Sequence, residues 1–259
     1  MNLPDLLLVT GAVIAAAMVL LWIVSVLLRD ASIVDPFWGT AFVVVAWTAA
    51  LVVGAWDAHD LILAAMVTVW GARLSGYLLW RNLGKGEDYR YQAMRRRWGS
   101  RFWIISLGTV FLLQGVLVWV VSLPVQVAIL APGDLGLITA AGLAIWSIGL
   151  IFETVGDAQL ARFKADPAND GKVMDRGLWR YTRHPNYFGD FCVWWGIYVV
   201  ALDASGTAWT VIGPLVMSFL LLRVSGVAML EKTISKRRPG YDEYASRTNA
   251  FFPGPVKSA

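Results

Sequence analysis

Asn186 and Asp190 stand four residues apart in RGLWRYTRHPNYFGDFCVWW, the stretch from Arg176 to Trp195. A helix that starts near Pro185 puts both on one face. There Asn186 offers an amide both a donor and an acceptor, and Asp190 accepts an N–H bond. Lys172, Arg176, Arg180 and Arg183 are near enough in sequence to present cations to a phosphate. His184-Pro185 reads as a helix-start turn in preference to a catalytic element. Within a few residues this polar cluster runs into a segment apolar enough to enter a bilayer, so its chemistry belongs at a membrane's edge.

Other polar groups recur at helical spacing inside apolar stretches. Arg73, Tyr77 and Arg81 are four apart and share a face; so do Glu153 and Asp157, and Arg223 and Glu231 eight apart. A central arginine in a membrane costs about 3 kcal/mol on insertion scales, so Arg73 and Arg223 are expected to be paired or functional. One reading is a set of internal ion pairs with Glu153, Asp157, Asp190 or Glu231. The other is a water-accessible polar pocket, since most of these groups lie toward one end of their spans. In GKGEDYRYQAMRRRWG, Gly84 and Gly86 permit a tight turn. Arg90 and Tyr91 are the expected ligand contacts there, and Arg95 to Arg97 the expected partners of anionic headgroups.

The elements that must position these residues follow from composition. Of 259 residues, 58% are hydrophobic and 15% charged, the balance of an integral membrane protein. Apolar stretches of membrane-crossing length occur near residues 5–28, 37–56, 61–80, 102–123, 135–156, 187–203 and 207–230. The expectation is an all-α fold: one membrane domain over residues 1–259 with seven transmembrane helices and short connecting helices or loops. The first stretch lacks a basic leader and a small-residue cleavage site, and reads as a retained helix.

Charge orients the spans. Seven basic residues lie in 81–101, six in 162–183 and six after residue 230, whereas the loops around 57–60, 124–134 and 203–207 hold no Lys or Arg. Basic loops favour the cytoplasm, which places the N-terminus outside and the C-terminus inside, in a bacterial inner membrane with a periplasmic N-terminus. The net charge of +4 is read as topology and lipid attraction, and no nucleic-acid motif accompanies it. One cysteine, Cys192, excludes an internal disulfide framework, and two histidines without a Cys/His cluster argue against a structural zinc site, so no metal is expected. No GxGxxG follows a strand, so any nucleotide is held without a Rossmann domain. KRRPGYDEYASRTNAFFPGP suits a short helix along the membrane, ended by Pro253 and Pro255.

In ETVGDAQLARF, then GLWRYTRHPNYFGD, then Arg223, Glu231 and a tyrosine-containing tail, the sequence resembles the membrane steroid 5α-reductase family over about residues 150–255. ASIVDPFWG and GEDYRYQAMR extend the likeness toward a bacterial branch once catalogued only as a domain of unknown function. The resemblance implies a seven-helix fold with NADPH in a cytoplasm-facing cavity and a hydrophobic substrate admitted from lipid. By the same resemblance, Asn186 and Asp190 fall at the carboxamide, Glu153 and Asp157 at the fifth-helix polar pair, and Arg223 at the last-helix arginine. Lys172 takes a basic contact; Arg81, Asn82, Arg90 and Tyr91 are looser matches. With Arg73, Arg183 and Glu231 they make up the expected cofactor-binding set.

The family's reaction passes hydride from NADPH to the β-carbon of an α,β-unsaturated ketone, here C5 of a 3-oxo-Δ4 steroid, while a donor at the carbonyl stabilises the enolate. The resemblance assigns the early-helix carboxylate to Asp35, whose structural alternative is a cap before Pro36. The family's third-helix tyrosine has no counterpart, since Trp70 or Gly71 falls there; Tyr77, from a neighbouring turn, is the substitute. The expected partners are a steroid-like substrate and membrane lipids, with neither nucleic acid nor an obligatory protein partner. RHPNY with a late Arg/Glu pair also occurs in isoprenylcysteine carboxyl methyltransferases, which keeps an S-adenosylmethionine-dependent methyltransferase open. A sterol C=C reductase acting at another position and a non-enzymatic lipid-binding scaffold are the further alternatives.

Overall fold

The computed structural model describes residues 1–54, 56–224 and 238–256. Among these the chain is all-helical, apart from one antiparallel bridge between Gly133 and Ala204. Five helical runs are long and apolar enough to cross a bilayer: Leu3–Leu28, Ala31–Val53, Ala58–Asn82, Tyr89–Val121 and Leu137–Ala165. The protein is therefore an integral membrane protein. The two remaining expected spans are helical but shorter, with 17 residues in Pro185–Ala201 and a last stretch, Ala208–Val224, that runs to the edge of the described residues. Glu231 lies outside the described residues.

One compact unit comprises Met1–Ile138 and Ala201–Gly213. It begins with α1 (Leu3–Leu28), where Asn2 caps the helix by accepting the Asp5 N–H at 2.9 Å, and Arg29 ends it in the left-handed conformation. Leu8, Leu20 and Leu27 on α1 are exposed, as apolar side chains are when the solvent is lipid. Helices α2 (Val34–Val53) and α3 (Ala58–Asn82) approach backbone to backbone. A Cβ on Gly39 would lie 2.4 Å from the Gly71 carbonyl oxygen, so neither helix tolerates a side chain there. Hydroxyl groups bind the pair further, with Thr40 and Ser75 oxygens 2.9 Å apart and Trp47 donating to Thr68 at 2.9 Å. Lipid supplies no hydrophobic drive between helices, so close approach and such bonds carry the association.

The fourth run starts thirteen residues before the expected 102–123. Asp88 caps α4 (Tyr89–Trp98) by accepting the Arg90 N–H at 2.9 Å, which turns a charge-rich stretch helical. A 3₁₀ turn, α5 (Phe102–Ser106), a π-helical segment (Leu107–Leu112) and α6 (Leu113–Val121) continue the run. α7 (Leu123–Ala128) follows, buried throughout. There Gln126 receives the Thr10 hydroxyl at 2.6 Å and donates to the Trp119 carbonyl at 2.8 Å, so its amide ties α7 to α1 and α6.

The second unit takes Thr139–Val200 and the described part of Pro214–Ala259. Its frame is α8 (Leu137–Ala165) against α9 (Pro185–Ala201). Gly142, Gly149 and Gly156 recur every seven residues on α8, facing Gly196, Gly189 and Pro185 on α9. A Cβ on Gly149 would meet the Gly189 oxygen at 2.6 Å. α10 (Ile212–Phe219) follows, and the tail forms α11 (Tyr241–Arg247), shorter than the expected membrane-surface helix and ended at Thr248.

Candidate functional site

The second unit contains a cavity of about 690 Å³. Its walls are the end of α8, the loop after it, the 3₁₀ turn at Gly177–Arg180 and the tail. Lys164, Lys172, Arg183 and Arg238 bring four cations to the lining, against the carboxylates of Asp166 and Asp170. Both acids are engaged locally, Asp166 with the Ala168 N–H at 2.9 Å and Asp170 with the Gly171 N–H at 2.9 Å. Among the described residues, the Lys172 side chain makes no hydrogen bond or ion pair. Trp179, Tyr241 and Tyr244 add aromatic rings.

Backbone carbonyls hold these walls together. Arg183 donates to the Ala245 and Thr248 carbonyls at 2.8 and 3.0 Å, and Arg238 donates to the Lys172 carbonyl at 3.0 Å. Trp179 donates its indole N–H to the Gly156 carbonyl at 3.0 Å, and Tyr244 donates to the Trp179 carbonyl. Burial pushes the Tyr244 phenol well above its ordinary value, so it remains a neutral donor. The tail is thus held to the 3₁₀ turn, the loop after α8 and the start of α9 by bonds made in both directions.

Glu153 and Asp157 share the buried, α9-facing side of α8, as their spacing predicts. Asn186, in the first turn of α9, donates its amide to Asp157 at 3.2 Å. Asp190, one turn on, is half-buried. His184 is buried and stacks on Tyr187 with ring planes 4° apart, as a helix-start residue packed against its own helix. Arg223 is exposed at the end of the described helix.

In the first unit, Asp35 opens α2. It receives Arg90 at 2.6 Å and the Tyr91 hydroxyl at 2.7 Å, and Arg90 also binds Asp88 at 2.8 Å. Arg90 and Tyr91, expected at a cofactor, are here bound to the carboxylate. A second pair sits beside it: Glu87 binds Arg95 at 2.7 Å and accepts the Ala31 N–H at 2.9 Å. Burial alone would raise the Glu87 carboxyl; the Arg95 and Ala31 bonds outweigh it and hold the group below the ordinary carboxylate range. Asp88 is held low in the same way, burial being outweighed by its bonds to Arg90. Tyr77 lies between two guanidiniums of α3, Arg73 at 5.4 Å and Arg81 at 5.9 Å from its ring centre, and Asn82 accepts from Arg81 at 3.3 Å. The sequence reading thus grouped Arg73, Tyr77 and Arg81 by spacing. Lys164, at the end of α8, and Arg238, in the tail, also line the cavity, and no spacing in the sequence marks them for it.

A family model described as "Protein of unknown function (DUF1295)" matches residues 21–248. An uncharacterised protein of Schizosaccharomyces pombe is 27% identical over 269 residues, covering 90% of this chain and 75% of that one. The nickel-cobalt-cadmium resistance protein NccN of Alcaligenes xylosoxydans xylosoxydans is 28% identical over 116 residues, 45% of this chain and 52% of its own length. The probable O-methyltransferase ustE of Ustilaginoidea virens is 30% identical over 114 residues, 44% of this chain and 35% of its own. No solved structure matches the chain. With a family match that runs through most of the described helices, the chain belongs to DUF1295, a membrane family similar to steroid 5α-reductases and methyltransferases.

Proposed function

We propose that this protein is a membrane reductase that uses NADPH to reduce the C=C bond of a lipophilic enone, with the Δ4 bond of a 3-oxo steroid as the leading substrate class. The observation that carries this reading is the cavity of about 690 Å³ with four cations in its lining. Its size falls in the range of about 300–1,000 Å³ found for small-molecule and cofactor sites. Cations gathered beside aromatic rings fit a ligand with several phosphates and stacking bases. S-adenosylmethionine carries a sulfonium and no phosphate, and gains less from them.

In this reading NADPH supplies the hydride, and the chain binds, orients and stabilises charge. Lys172 and Arg238 hold phosphate at the cavity rim. Asn186, two residues beyond the cavity-lining His184, keeps its carbonyl oxygen for a carboxamide while its amide is anchored on Asp157. Of the two residues expected to act on the substrate, Asp35 is ion-paired with Arg90 and accepts, whereas Tyr77, flanked by the guanidiniums of Arg73 and Arg81, has a hydroxyl to donate. Asp35 then acts by positioning Arg90 and Tyr91.

One observation favours a second reading: the 30% identity with a probable O-methyltransferase over 114 residues. Equilibrium binding to the detergent-purified protein separates the two. The reductase reading expects selective binding of NADPH over S-adenosylmethionine, weakened about tenfold by Lys172→Ala and again by Arg238→Ala, the worth of one charge-assisted bond each. Selective binding of S-adenosylmethionine, insensitive to those changes, would replace it with the methyltransferase.

A further inference from the structure

We propose that Asp57, His59 and Asp60, at the start of α3, form a binding site for a divalent transition-metal cation. The sequence, with two histidines and no Cys/His cluster, predicts no such site. The fold gathers one: among the described residues, these three present ligand atoms that all lie within 4.8 Å of one another. His59 is fully buried and Asp60 is 4% exposed.

Helix capping explains part of this cluster and leaves a remainder. Asp57 and Asp60 form a capping box, in which Asp57 Oδ1 accepts the Asp60 N–H at 2.9 Å and Asp60 Oδ2 accepts the Asp57 N–H at 3.3 Å. The second oxygen of Asp60 has no part in it. Among the described residues, Asp60 Oδ1 is buried without a hydrogen-bond partner, a costly state for a carboxylate oxygen unless something else meets it. Asp57 retains lone pairs as well, because each carboxylate oxygen accepts more than one bond.

Local charge favours a cation. The helix N-terminus contributes roughly half a positive charge, which two carboxylates exceed. The Gly133–Ala204 bridge brings the 203–207 loop to the loop that packs on His59, and neither loop contains Lys or Arg. Gly133 also shapes the site: a Cβ there would lie 2.5 Å from the His59 ring, so the imidazole packs where only glycine leaves room. One imidazole nitrogen with two carboxylates is a borderline donor set, suited to Zn²⁺, Co²⁺, Ni²⁺ or Mn²⁺ and not to the all-oxygen preference of Ca²⁺ and Mg²⁺. Bonds of about 2.0–2.2 Å at tetrahedral angles require ligand atoms 4.8 Å apart to close by about 1.4 Å, with water completing the shell.

The test uses the full chain in detergent, stripped of metal and titrated with Co²⁺, whose visible absorption reports its coordination. The expected result is one Co²⁺ per chain with an imidazole-carboxylate spectrum, competed by Zn²⁺ and unaffected by millimolar Mg²⁺. Asp60→Asn, close in shape, is expected to weaken binding more than tenfold, and His59→Gln to abolish the spectrum. Circular dichroism and gel filtration establish that each variant is folded. Absence of stoichiometric binding to the wild type would overturn the proposal, as would undiminished binding to folded Asp60→Asn. In the first case Asp60 serves the cap alone.

Discussion

A carboxylate in the first turn of a helix can cap it, bind a cation or hold another side chain, and Asp35 does the last. Its two oxygens take Arg90 and Tyr91, residues 55 and 56 positions away. Asp35→Asn keeps the shape but removes the charge that Arg90 faces, while Asp88 still holds the guanidinium. The expected loss is about 1–3 kcal/mol, the range for a part-buried charged hydrogen bond, read as a lower unfolding temperature in detergent. A fall in turnover far beyond that loss would show that Asp35 also reaches substrate. Spacing made Arg73, Tyr77 and Arg81 legible as one face, because neighbours on a helix follow from its period. No local rule pairs Asp35 with Arg90 across two helices. Arg183 shows the same limit: its cluster suggested a phosphate, yet its guanidinium meets the carbonyls of Ala245 and Thr248, more than sixty residues along the chain.

Elements were legible where lipid sets their length. The first three and the fifth expected spans lie almost wholly within observed helices, because each needs about 20 apolar residues to cross the hydrocarbon. The α4 stretch was not, because its cap and its ion pairs, not its hydropathy, make it helical. The glycines of α8 and α9 were readable as letters but not as a seam until the two helices were seen in register. That seam makes a sharp prediction. A Cβ on Gly189 would lie 2.5 Å from the Glu153 amide nitrogen and 2.6 Å from the Gly149 oxygen, both backbone atoms that cannot swing aside. Gly189→Ala is therefore expected to cost about 1–3 kcal/mol or more through overpacking and to loosen Asn186 from Asp157. Gly76→Ala, inside α3 with no neighbouring atom within 4 Å, is the control expected to leave stability unchanged or raise it by up to about 1 kcal/mol. Equal unfolding temperatures for the two variants would remove the seam from the account.

At the scale of the whole molecule, the question is how many times the chain crosses. α9 has 17 residues, about 26 Å at 1.5 Å per residue, against a hydrocarbon core of about 30 Å. Local thinning absorbs such a shortfall at modest cost. If α9 and the helix after it did not cross, the basic tail would keep its side, since removing two crossings preserves parity, but the 203–207 loop would change sides. The bridge from Ala204 to Gly133 sets that loop beside the one between the fourth and fifth long helices, which is free of Lys and Arg. Seven crossings put both loops outside. Cys192 is the lone, buried cysteine, so Cys192→Ala provides a background for single reporters. In intact bacterial cells, a membrane-impermeant maleimide is expected to label Leu135→Cys and Ser205→Cys, both at exposed positions, and to spare Lys85→Cys until the membrane is opened. Ser205→Cys protected alongside Lys85→Cys would reduce the count to five; labelling of Lys85→Cys from outside would reverse the orientation that the basic loops predict.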